Sequence, residues 1–312
     1  MAILLNNNGY GNDHWQQQIR RQLPSMPMHV YPEVPDLESV HYALVWDHPK
    51  GDLLNYPNLR AVFSLGAGME HLLTDENLPE VPLVPLLDPI VAEDMSNYGL
   101  YWVMHFHRRY AEYKAQQSQQ IWQSLNIKLN SEFKITILGL GRIAQQLAET
   151  VQGAGYQVDA WDFKAKTFLS GRMQNINIHA GISELYKSIQ DRDVVINCLP
   201  INDKTEGLIN ADFLSQLSAH TSLVNISRGA VTNEADLLDS LNHGAINHAV
   251  LDVVNHEPLN QTHPFWDHSR VTITPHISGS TYARSGAKVI VKNIELMENG
   301  EMPEGIYDRN RG

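Results

Sequence analysis

Charged and titratable side chains follow neighbouring strands in the last third of the sequence, in a pattern that can do chemistry. Arg228 follows the run SLVNIS, Asp252 and Glu257 follow HAVLDV, and His276 ends VTITPH. Doubly wound sheets bind ligands beyond the carboxyl ends of their strands, so these side chains are expected to converge. A guanidinium is always ionised and is costly to bury without an anion, and histidine is the commonest acid and base in enzymes. The set predicts a site that binds a small anion and transfers a proton.

Each of these residues also has an ordinary structural explanation. Arg228 equally suits a salt bridge that anchors a loop, and Glu257 equally suits a surface position before Pro258. A single histidine such as His276 is more often structural than catalytic. The convergence of all of them on one sheet edge is what favours an enzyme.

A predicted dinucleotide-binding turn precedes these residues, in the segment KITILGLGRIAQQLAETV. The segment predicts a strand, then Gly139-x-Gly141-x-x-Ala144, then a helix. Gly139 permits the tight turn, Gly141 lets the backbone approach a pyrophosphate at the helix N-terminus, and Ala144 lets the helix pack closely. The alternative is a glycine-rich turn that binds nothing, and the succession of strand, turn, helix, strand and acid argues against it.

The acid is Asp162, which ends the next predicted strand, 23 residues after Gly139. A carboxylate at this point hydrogen-bonds the adenosine ribose hydroxyls, which favours NADH. Lys164 and Lys166 lie close enough in sequence to bind a 2′-phosphate. The predicted cofactor is therefore NAD(H), with NADP(H) as the alternative.

A second glycine turn, in SLGAGMEH, follows a predicted strand in the first third of the chain. The small residues Gly66, Ala67 and Gly68 can present successive backbone amides to an anion. A simple tight turn is the alternative, because the Gly-x-Gly pattern is common. Trp46 lies near the end of YALVWD, and we expect it either to form a wall of the same pocket or to pack in the core.

The elements that position these residues alternate between short apolar runs and amphipathic helical runs, which indicates α/β layers around parallel strands. The first series of strands is AILL, MHVY, YALVWD, AVFSLG and VPLVPL. The segment NDHWQQQIRRQL predicts a helix capped by Asn12, and a long helix is predicted from about Val91 to about Gln117. The second series is KITILG, YQVDAWD, VVINCLP, SLVNIS, HAVLDV and VTITPH, and a last helix runs from about Tyr282 to Glu298.

A chain of 312 residues is long for one core, so two domains are expected. The predicted division assigns residues 1–98 to a substrate domain and 99–280 to a dinucleotide-binding domain. Residues 281–312 are predicted to form a C-terminal helix that returns to the substrate domain.

Composition argues against several classes of function. Lys and Arg number 23 against 35 Asp and Glu, a formal net charge of −12, which makes a poor binder of nucleic acid or of an anionic membrane. MAILLNNNGY has too short an apolar run for a signal peptide, and no stretch approaches a membrane span. The single cysteine, Cys198, excludes an internal disulfide and predicts a cytoplasmic protein; a buried, inert thiol is expected. His256, His263 and His268 lack metal-ligand spacing, so no metal site is predicted.

Several segments carry a family resemblance that spans essentially the whole chain. NISRGA, LDVVNHEP and TPHISGST resemble the signature segments of the D-isomer-specific 2-hydroxyacid dehydrogenases, in the same order and after the same elements. YALVWDHP, FSLGAGMEHLL and the terminal YDRNRG are similar to the glyoxylate/hydroxypyruvate reductase A branch of that family. The resemblance implies a Rossmann NAD(P)-binding domain inserted in a flavodoxin-like substrate domain, both doubly wound parallel sheets, and a homodimer formed through the cofactor domains.

The resemblance also implies a role for each candidate residue. Arg228 orients the substrate, His276 is the acid and base, Glu257 is its carboxylate partner, and Asp252 contacts the nicotinamide carboxamide. The expected cofactor-binding residues are Gly139, Gly141, Arg142, Ile143, Asp162, Leu199, Pro200, Ile226, Ser227 and Asp252. The expected substrate-binding residues are Trp46, Gly66, Ala67, Gly68 and Arg228. The implied reaction is the reduction of a small 2-oxo acid by NAD(P)H, either glyoxylate to glycolate or hydroxypyruvate to glycerate.

Two other classes of function use the same fold. A dinucleotide-dependent hydrolase or lyase lacks support, because the sequence shows no cysteine or serine nucleophile signature. A protein that senses NADH without turnover needs only the nucleotide site, so the presence of Arg228, Glu257 and His276 together argues against it. The sequence leaves the preferred 2-oxo acid open.

Overall fold

The computed structural model describes residues 1–9, 11–166 and 176–309, and the chain divides into two compact units. One unit holds residues 1–91 together with the residues from Thr281 onward, and the other holds residues 92–280. The boundary expected after residue 98 falls inside a helix that begins in the first unit and continues in the second. The last three residues of the motif YDRNRG, residues 310–312, lie outside the described residues.

The first unit is built on a parallel five-stranded sheet in the order β2-β1-β3-β4-β5. Its strands are β1 (Ala2–Asn6), β2 (Met28–Val30), β3 (Val40–Val45), β4 (Ala61–Ser64) and β5 (Leu83–Val84). The strands are apolar at almost every position because both faces of the sheet are covered. Side chains alternate between the two faces, so Ile3 and Leu5 pack in one layer and Leu4 packs in the other.

Helices cover the sheets of both units. The helices are α1 (Asn12–Gln22), α2 (Glu70–Leu73), α3 (Pro89–His107), α4 (Tyr110–Ser118), α5 (Arg142–Gly153), α6 (Ile182–Ile189), α7 (Ala211–Ser215), α8 (Glu234–Asn242) and α9 (Ala283–Glu298). In the first unit α1 and α9 pack side by side on one face, through Trp15 and Ile19 of α1 and Ile290 and Ile294 of α9. The C-terminal helix thus completes the core of the unit that the first strands begin.

The second unit is built on a parallel seven-stranded sheet in the order β12-β11-β10-β9-β6-β7-β8. Its strands are β6 (Lys134–Leu138), β7 (Gln157–Asp162), β8 (Asn177–Ala180), β9 (Val194–Asn197), β10 (Ser222–Asn225), β11 (His248–Leu251) and β12 (Val271–Ile273). One face packs against α3 and α5, and the other packs against α6, α7 and α8. All strands run in the same direction, so the loops after β6, β7, β9, β10, β11 and β12 open at one edge. The expected fold class, two doubly wound parallel sheets, is confirmed.

Two local predictions need correction, and one strand was not predicted. The helix expected from about Val91 to Gln117 is two helices, because Arg109 adopts a left-handed backbone with φ of 57°. The buried side chain of His107, just before the break, bonds Tyr156 Oη and the Lys128 carbonyl, which fixes the chain there. Asn12 is the first residue of α1 and does not cap it, because the capping position belongs to Gly11. The short strand β8 (Asn177–Ala180) was not predicted from the sequence.

Candidate active site

The turn between β6 and α5 has the backbone that a dinucleotide needs. Gly139 has φ of 89°, in the left-handed region that favours glycine, and a Cβ there would lie 3.2 Å from the carbonyl carbon of Cys198. Gly141 precedes α5, and a Cβ on it would meet none of the described atoms within 4 Å. Arg142 and Ile143 form the first turn of the helix, and Ala144 is buried against the sheet. The open space before the helix N-terminus fits a pyrophosphate.

Asp162 ends β7 beside this turn, and its carboxylate is already engaged. Asp162 Oδ2 accepts from Leu140 N at 2.8 Å and from Lys166 Nζ at 2.7 Å, while Oδ1 accepts from Lys164 N at 3.2 Å. Lys166 Nζ also donates to the Leu140 carbonyl at 2.8 Å. The negative charge expected at the ribose end is therefore neutralised by a lysine four residues away.

Two buried asparagines hold the loops that follow β9 and β10. Asn197 Nδ2 donates to Asn225 Oδ1 at 3.0 Å, and Asn197 Oδ1 accepts from Leu199 N at 3.1 Å. Asn225 in turn accepts from Ser227 N at 3.2 Å and donates to the Arg228 carbonyl at 3.0 Å. A polar side chain inside an apolar sheet is tolerated because its amide groups are hydrogen-bonded. The pair sets the backbone of two predicted cofactor loops at once.

The predicted cofactor residues of these two loops contact each other. The Ser227 hydroxyl donates to the Leu199 carbonyl, and Ile226 is buried. Pro200, next to Leu199 in the chain, is exposed. The structure thus brings Ser227 against Leu199, which the sequence places in a different segment.

Arg228 lies where the loop after β10 meets the loop after β11. Its guanidinium donates to the Ser227 carbonyl at 2.7 Å. The next residue, Gly229, packs directly on backbone: a Cβ there would lie 2.0 Å from the carbonyl carbon of Val254. Only glycine permits this approach, which brings the Arg228 loop against the segment that carries Glu257. The charge of Arg228 acts on both Glu257 and His276.

His276 and Glu257 form a hydrogen-bonded pair. His276 Nδ1 lies 2.8 Å from Glu257 Oε2, and Glu257 Oε1 accepts from Val254 N at 3.2 Å. The side chains remain 49% and 39% exposed, so both are open to a ligand. The hydrogen bond that His276 donates to Glu257 raises the pKa of His276 above its ordinary 6.5, and burial opposes that shift. Burial acts to raise the pKa of Glu257, but the hydrogen bond and charge of His276 outweigh it and lower that pKa.

Asp252 is buried below this pair, where it binds the backbone around His276. Its carboxylate accepts from Thr274 Oγ1 at 2.6 Å, Ile277 N at 2.9 Å and Ser278 N at 2.8 Å. Its carbonyl accepts from His276 N at 2.9 Å. Three of about four acceptor sites on the carboxylate are thus occupied, which leaves about one for the predicted nicotinamide contact.

The glycine loop of the first unit follows β4 and is held at both ends. Ser64 Oγ accepts from Gly66 N at 3.2 Å and donates to the Gly68 carbonyl at 3.1 Å. Ala67, at the tip, is exposed. Trp46 packs directly against the loop, since a Cβ on Gly66 would lie 2.5 Å from the indole ring.

Trp46 is supported from behind by His71 of α2, with ring centroids 4.3 Å apart. Burial, and then the charge of the nearby His48, lower the pKa of His71 to about 4, so this ring is neutral at ordinary pH. Trp46 also lines a cleft of about 510 Å³ in the first unit, together with His14, Trp15 and Gly66. The indole and the start of the glycine loop therefore face the same open cleft.

In the described part of the chain, His, Cys, Asp and Glu side chains do not gather in groups of three or more that could hold a metal ion. None of the helices in this part of the chain is long and apolar enough to cross a membrane. Burial raises the pKa of the Cys198 thiol to about 12, which keeps it protonated and unreactive.

Comparison with known proteins decides the family. Residues 100–278 match the family model described as D-isomer specific 2-hydroxyacid dehydrogenase, NAD binding domain. The whole chain is 36% identical over 318 aligned positions to the glyoxylate/hydroxypyruvate reductase A of Yersinia enterocolitica, covering 100% of both chains. The reductase A of Serratia proteamaculans is 34% identical over 99% of this chain and 98% of its own.

The chain belongs to the D-isomer-specific 2-hydroxyacid dehydrogenase family. It is an NAD(P)-dependent dehydrogenase, and its relatives support the glyoxylate/hydroxypyruvate reductase A branch expected from the sequence.

Solved structures of relatives extend the comparison to the fold and the cofactor. A family member from Xanthobacter autotrophicus Py2, in complex with NADPH and MES, superposes with a TM-score of 0.93 at 29% identity, covering 99% of this chain and 98% of its own. The NADPH-dependent glyoxylate/hydroxypyruvate reductase of Sinorhizobium meliloti, in complex with NADP and sulfate, gives 0.90 at 26% identity, with 98% of each chain covered. A nicotinamide dinucleotide is the cofactor of this dehydrogenase. The expected preference for NADH has no support from these relatives.

Sequence reasoning missed several residues that hold this site of the dehydrogenase in place. Asn197 and Asn225 were detectable in principle, because each is a polar residue at the end of an otherwise apolar strand. Gly229 follows Arg228 directly, but the backbone it approaches is 25 residues further along the chain. Nothing in the sequence pairs Thr274 with Asp252. These contacts arise only when neighbouring strands are placed side by side.

Proposed function

We propose that this dehydrogenase reduces small 2-oxo acids, glyoxylate and hydroxypyruvate among them, to the corresponding 2-hydroxy acids. The single observation that carries the proposal is the His276–Glu257 hydrogen bond of 2.8 Å beside the charge of Arg228, at the strand edge that also holds the dinucleotide turn. A proton donor, a cation for a carboxylate and a cofactor turn are the three groups that such a reduction requires. A protein that only senses the cofactor has no use for the first two.

His276 would deliver the proton. Its Nδ1 is bound to Glu257, which leaves Nε2 as the nitrogen that can donate to the oxo oxygen. The raised pKa keeps the ring protonated to a higher pH than that of an ordinary histidine, because the adjacent carboxylate stabilises the imidazolium that donates. The bound cofactor supplies the hydride to the oxo carbon. One hydride and one proton thus convert the 2-oxo acid to the 2-hydroxy acid, and His276 regains its proton from solvent.

Arg228 would bind the carboxylate and oxo oxygens of the substrate. A planar guanidinium matches a planar carboxylate with two parallel hydrogen bonds, and its charge also stabilises the negative charge that develops on the oxo oxygen. The Gly66–Gly68 loop is proposed to offer backbone amides to the same class of anion, with Trp46 as a wall against it. In this proposal residues 99–280 form the dinucleotide-binding domain, and residues 1–98 with 281–312 form the substrate domain.

The cofactor proposal follows from the ion pair at the end of β7. Asp162 alone would repel a 2′-phosphate, but Lys166 lies 2.7 Å from its carboxylate and supplies the opposite charge. NADPH is bound in the similar structure from Xanthobacter autotrophicus. We therefore propose that this dehydrogenase accepts NADPH as well as NADH, with Lys166 admitting the phosphate that Asp162 would otherwise exclude.

A homodimer through the cofactor domain is also proposed. Large apolar side chains are exposed along α3, α4 and the segment after them, namely Tyr101, Met104, Tyr110, Ile121 and Trp122. Trp122 is fully exposed, which is unusual for an indole outside an interface. Light scattering should give a dimeric mass for the wild type and for the control Trp266→Ser, whereas Trp122→Ser should shift the mass toward a monomer. A monomeric wild type would contradict the proposal.

The reductase activity is tested by a panel of 2-oxo acids assayed with NADH and with NADPH, following the absorbance of the reduced nicotinamide. Turnover of glyoxylate or hydroxypyruvate is expected. Arg228→Lys should raise KM for the oxo acid and lower kcat together while cofactor binding stays unchanged, because a point charge cannot make two parallel bonds. Arg20→Lys, at the surface of α1, is the matched control and should behave as wild type. No turnover of any 2-oxo acid with either cofactor would overturn the proposal.

A further inference from the structure

A chain of three hydrogen-bonded side chains leads from α3 to the loop that carries His276. Tyr98 Oη lies 2.6 Å from Thr274 Oγ1, and Thr274 Oγ1 lies 2.6 Å from Asp252 Oδ1. All three residues belong to the second unit, and Asp252 is buried. Neither Tyr98 nor Thr274 is among the residues proposed to bind the cofactor, bind the substrate or transfer the proton.

The available protons fix which group donates and which accepts in each hydrogen bond of this chain. The Asp252 carboxylate only accepts hydrogen bonds, so the one proton of the Thr274 hydroxyl must point to it. Thr274 Oγ1 is then left as an acceptor, and the Tyr98 hydroxyl must donate to it. Burial raises the pKa of Tyr98, so the phenol stays protonated and remains a donor. The Thr274 proton is therefore committed to Asp252, and the Tyr98 proton is committed to Thr274.

Asp252 passes this constraint to His276 through the backbone. His276 N donates to the Asp252 carbonyl, and the next two amides, of Ile277 and Ser278, donate to the Asp252 carboxylate. His276 itself has φ of 53°, a left-handed backbone that a residue with a side chain adopts only when its surroundings impose it. The hydrogen bonds that Asp252 makes with the residues around His276 hold this left-handed backbone in place.

We propose that Thr274 and Tyr98 are positioning residues for His276, acting through Asp252. Thr274 orients the Asp252 carboxylate toward the amides of Ile277 and Ser278, and Tyr98 orients the Thr274 hydroxyl. The left-handed turn then directs the imidazole to Glu257. The inference rests on the proposed function only in taking His276 as the proton donor.

Thr274→Val tests the proposal, because it removes the hydroxyl and keeps the shape of the side chain. We expect kcat to fall by about tenfold or more, since displacing a reacting group by about 1 Å has effects of up to about 100-fold. Thr274→Ser keeps the hydroxyl and should restore kcat to within about threefold of wild type. Fluorescence titration should give an unchanged Kd for NADPH in both variants.

Thr272→Val is the matched control. Thr272 lies two residues earlier, on β12, and its hydroxyl bonds His248 at 2.9 Å, so the same chemical change is made close by, at a hydroxyl that does not bond Asp252. Its kcat should stay within about twofold of wild type. Tyr98→Phe gives a second, milder test, because the phenol ring is kept and only the outer donor is lost; a smaller fall in kcat is expected.

NMR titration of the His276 ring gives a readout that does not need turnover. The groups that set its pKa are Glu257, Asp252 and Arg228. When the turn loosens, the Glu257 hydrogen bond weakens, so Thr274→Val should lower the pKa of His276 and Thr274→Ser should not. This result would support the positioning role even for a protein that reduces no 2-oxo acid. The proposal of positioning and the proposal of 2-oxo acid reduction can therefore be refuted independently. An unchanged kcat and an unchanged His276 pKa in Thr274→Val, or an equal loss in Thr274→Ser, would overturn it.

Discussion

Gly229→Ala should abolish most activity by displacing Arg228. A methyl group at this position would lie 2.0 Å from the Val254 carbonyl carbon and 2.2 Å from its oxygen, both of which are backbone atoms. Carbon atoms in contact stay about 3.5 Å apart, so one of the two loops must move by about 1.5 Å. Arg228 comes immediately before Gly229, and the Val254 amide bonds Glu257. The shift therefore separates the cation from the His276–Glu257 pair.

The expected size of the effect follows from that displacement. Misplacing a catalytic group by about 1 Å reduces the rate by about 100-fold, so kcat/KM for the oxo acid should fall by at least about that factor. Steady-state reduction of glyoxylate measures the loss, and thermal unfolding measures stability in parallel. The control is Gly244→Ala, whose φ of 71° makes alanine strained by about 1–2 kcal/mol without any contact to backbone.

Gly244→Ala should lose stability and keep activity, whereas Gly229→Ala should lose activity well beyond what its stability explains. A Gly229→Ala variant with near-normal kcat/KM would refute the reasoning, because it would show that the loop after β10 and the loop after β11 need no close approach for Arg228 to function.

Three further predictions concern pH, cofactor and substrate size. Reduction needs protonated His276, whose pKa is raised, so kcat/KM should be highest at low pH and fall as pH rises through that raised pKa. Glu257→Gln should move this fall to lower pH, and an unmoved pH profile would contradict the pairing. Lys166→Ala should shift the kcat/KM ratio toward NADH by about tenfold, the effect of losing one charged hydrogen bond, since Asp162 is then unneutralised; an unchanged ratio would show that another group binds the phosphate. Trp46→Ala should enlarge the cleft of about 510 Å³ that Trp46 and Gly66 line, so the activity on bulky 2-oxo acids should rise relative to that on glyoxylate; an unchanged selectivity would show that Trp46 does not form a wall of the substrate pocket.

The sheets and the dinucleotide turn could be predicted because their signals are local. Parallel strands buried on both faces give apolar runs, and Gly139 needs a left-handed backbone that glycine alone adopts easily. β8 was missed because its signal is not apolar. His179 on this strand bonds Asp159 at 3.1 Å, and Asp159 also binds Arg192 at 2.6 Å, so ion pairs replace the usual pattern.

The candidate site shows the same division between local and non-local signals. Arg228, Glu257 and His276 were selected by residue type and by position after a strand, which the sequence displays. The geometry that links them depends on contacts across strands, such as Gly229 against Val254, which no local pattern encodes. The break between α3 and α4 has the same origin, since His107 is held by residues about 20 and 50 positions further along the chain.

The most direct test of the central claim is His276→Asn, measured by steady-state kinetics with a parallel fluorescence titration of NADPH. Proton delivery by a positioned side chain typically contributes about 100- to 10,000-fold, so kcat for the reduction of glyoxylate should fall by that order while the Kd of NADPH stays unchanged. His243→Asn, at a histidine exposed after α8, is the control and should keep both values. Near-normal reduction of glyoxylate by His276→Asn would contradict the account.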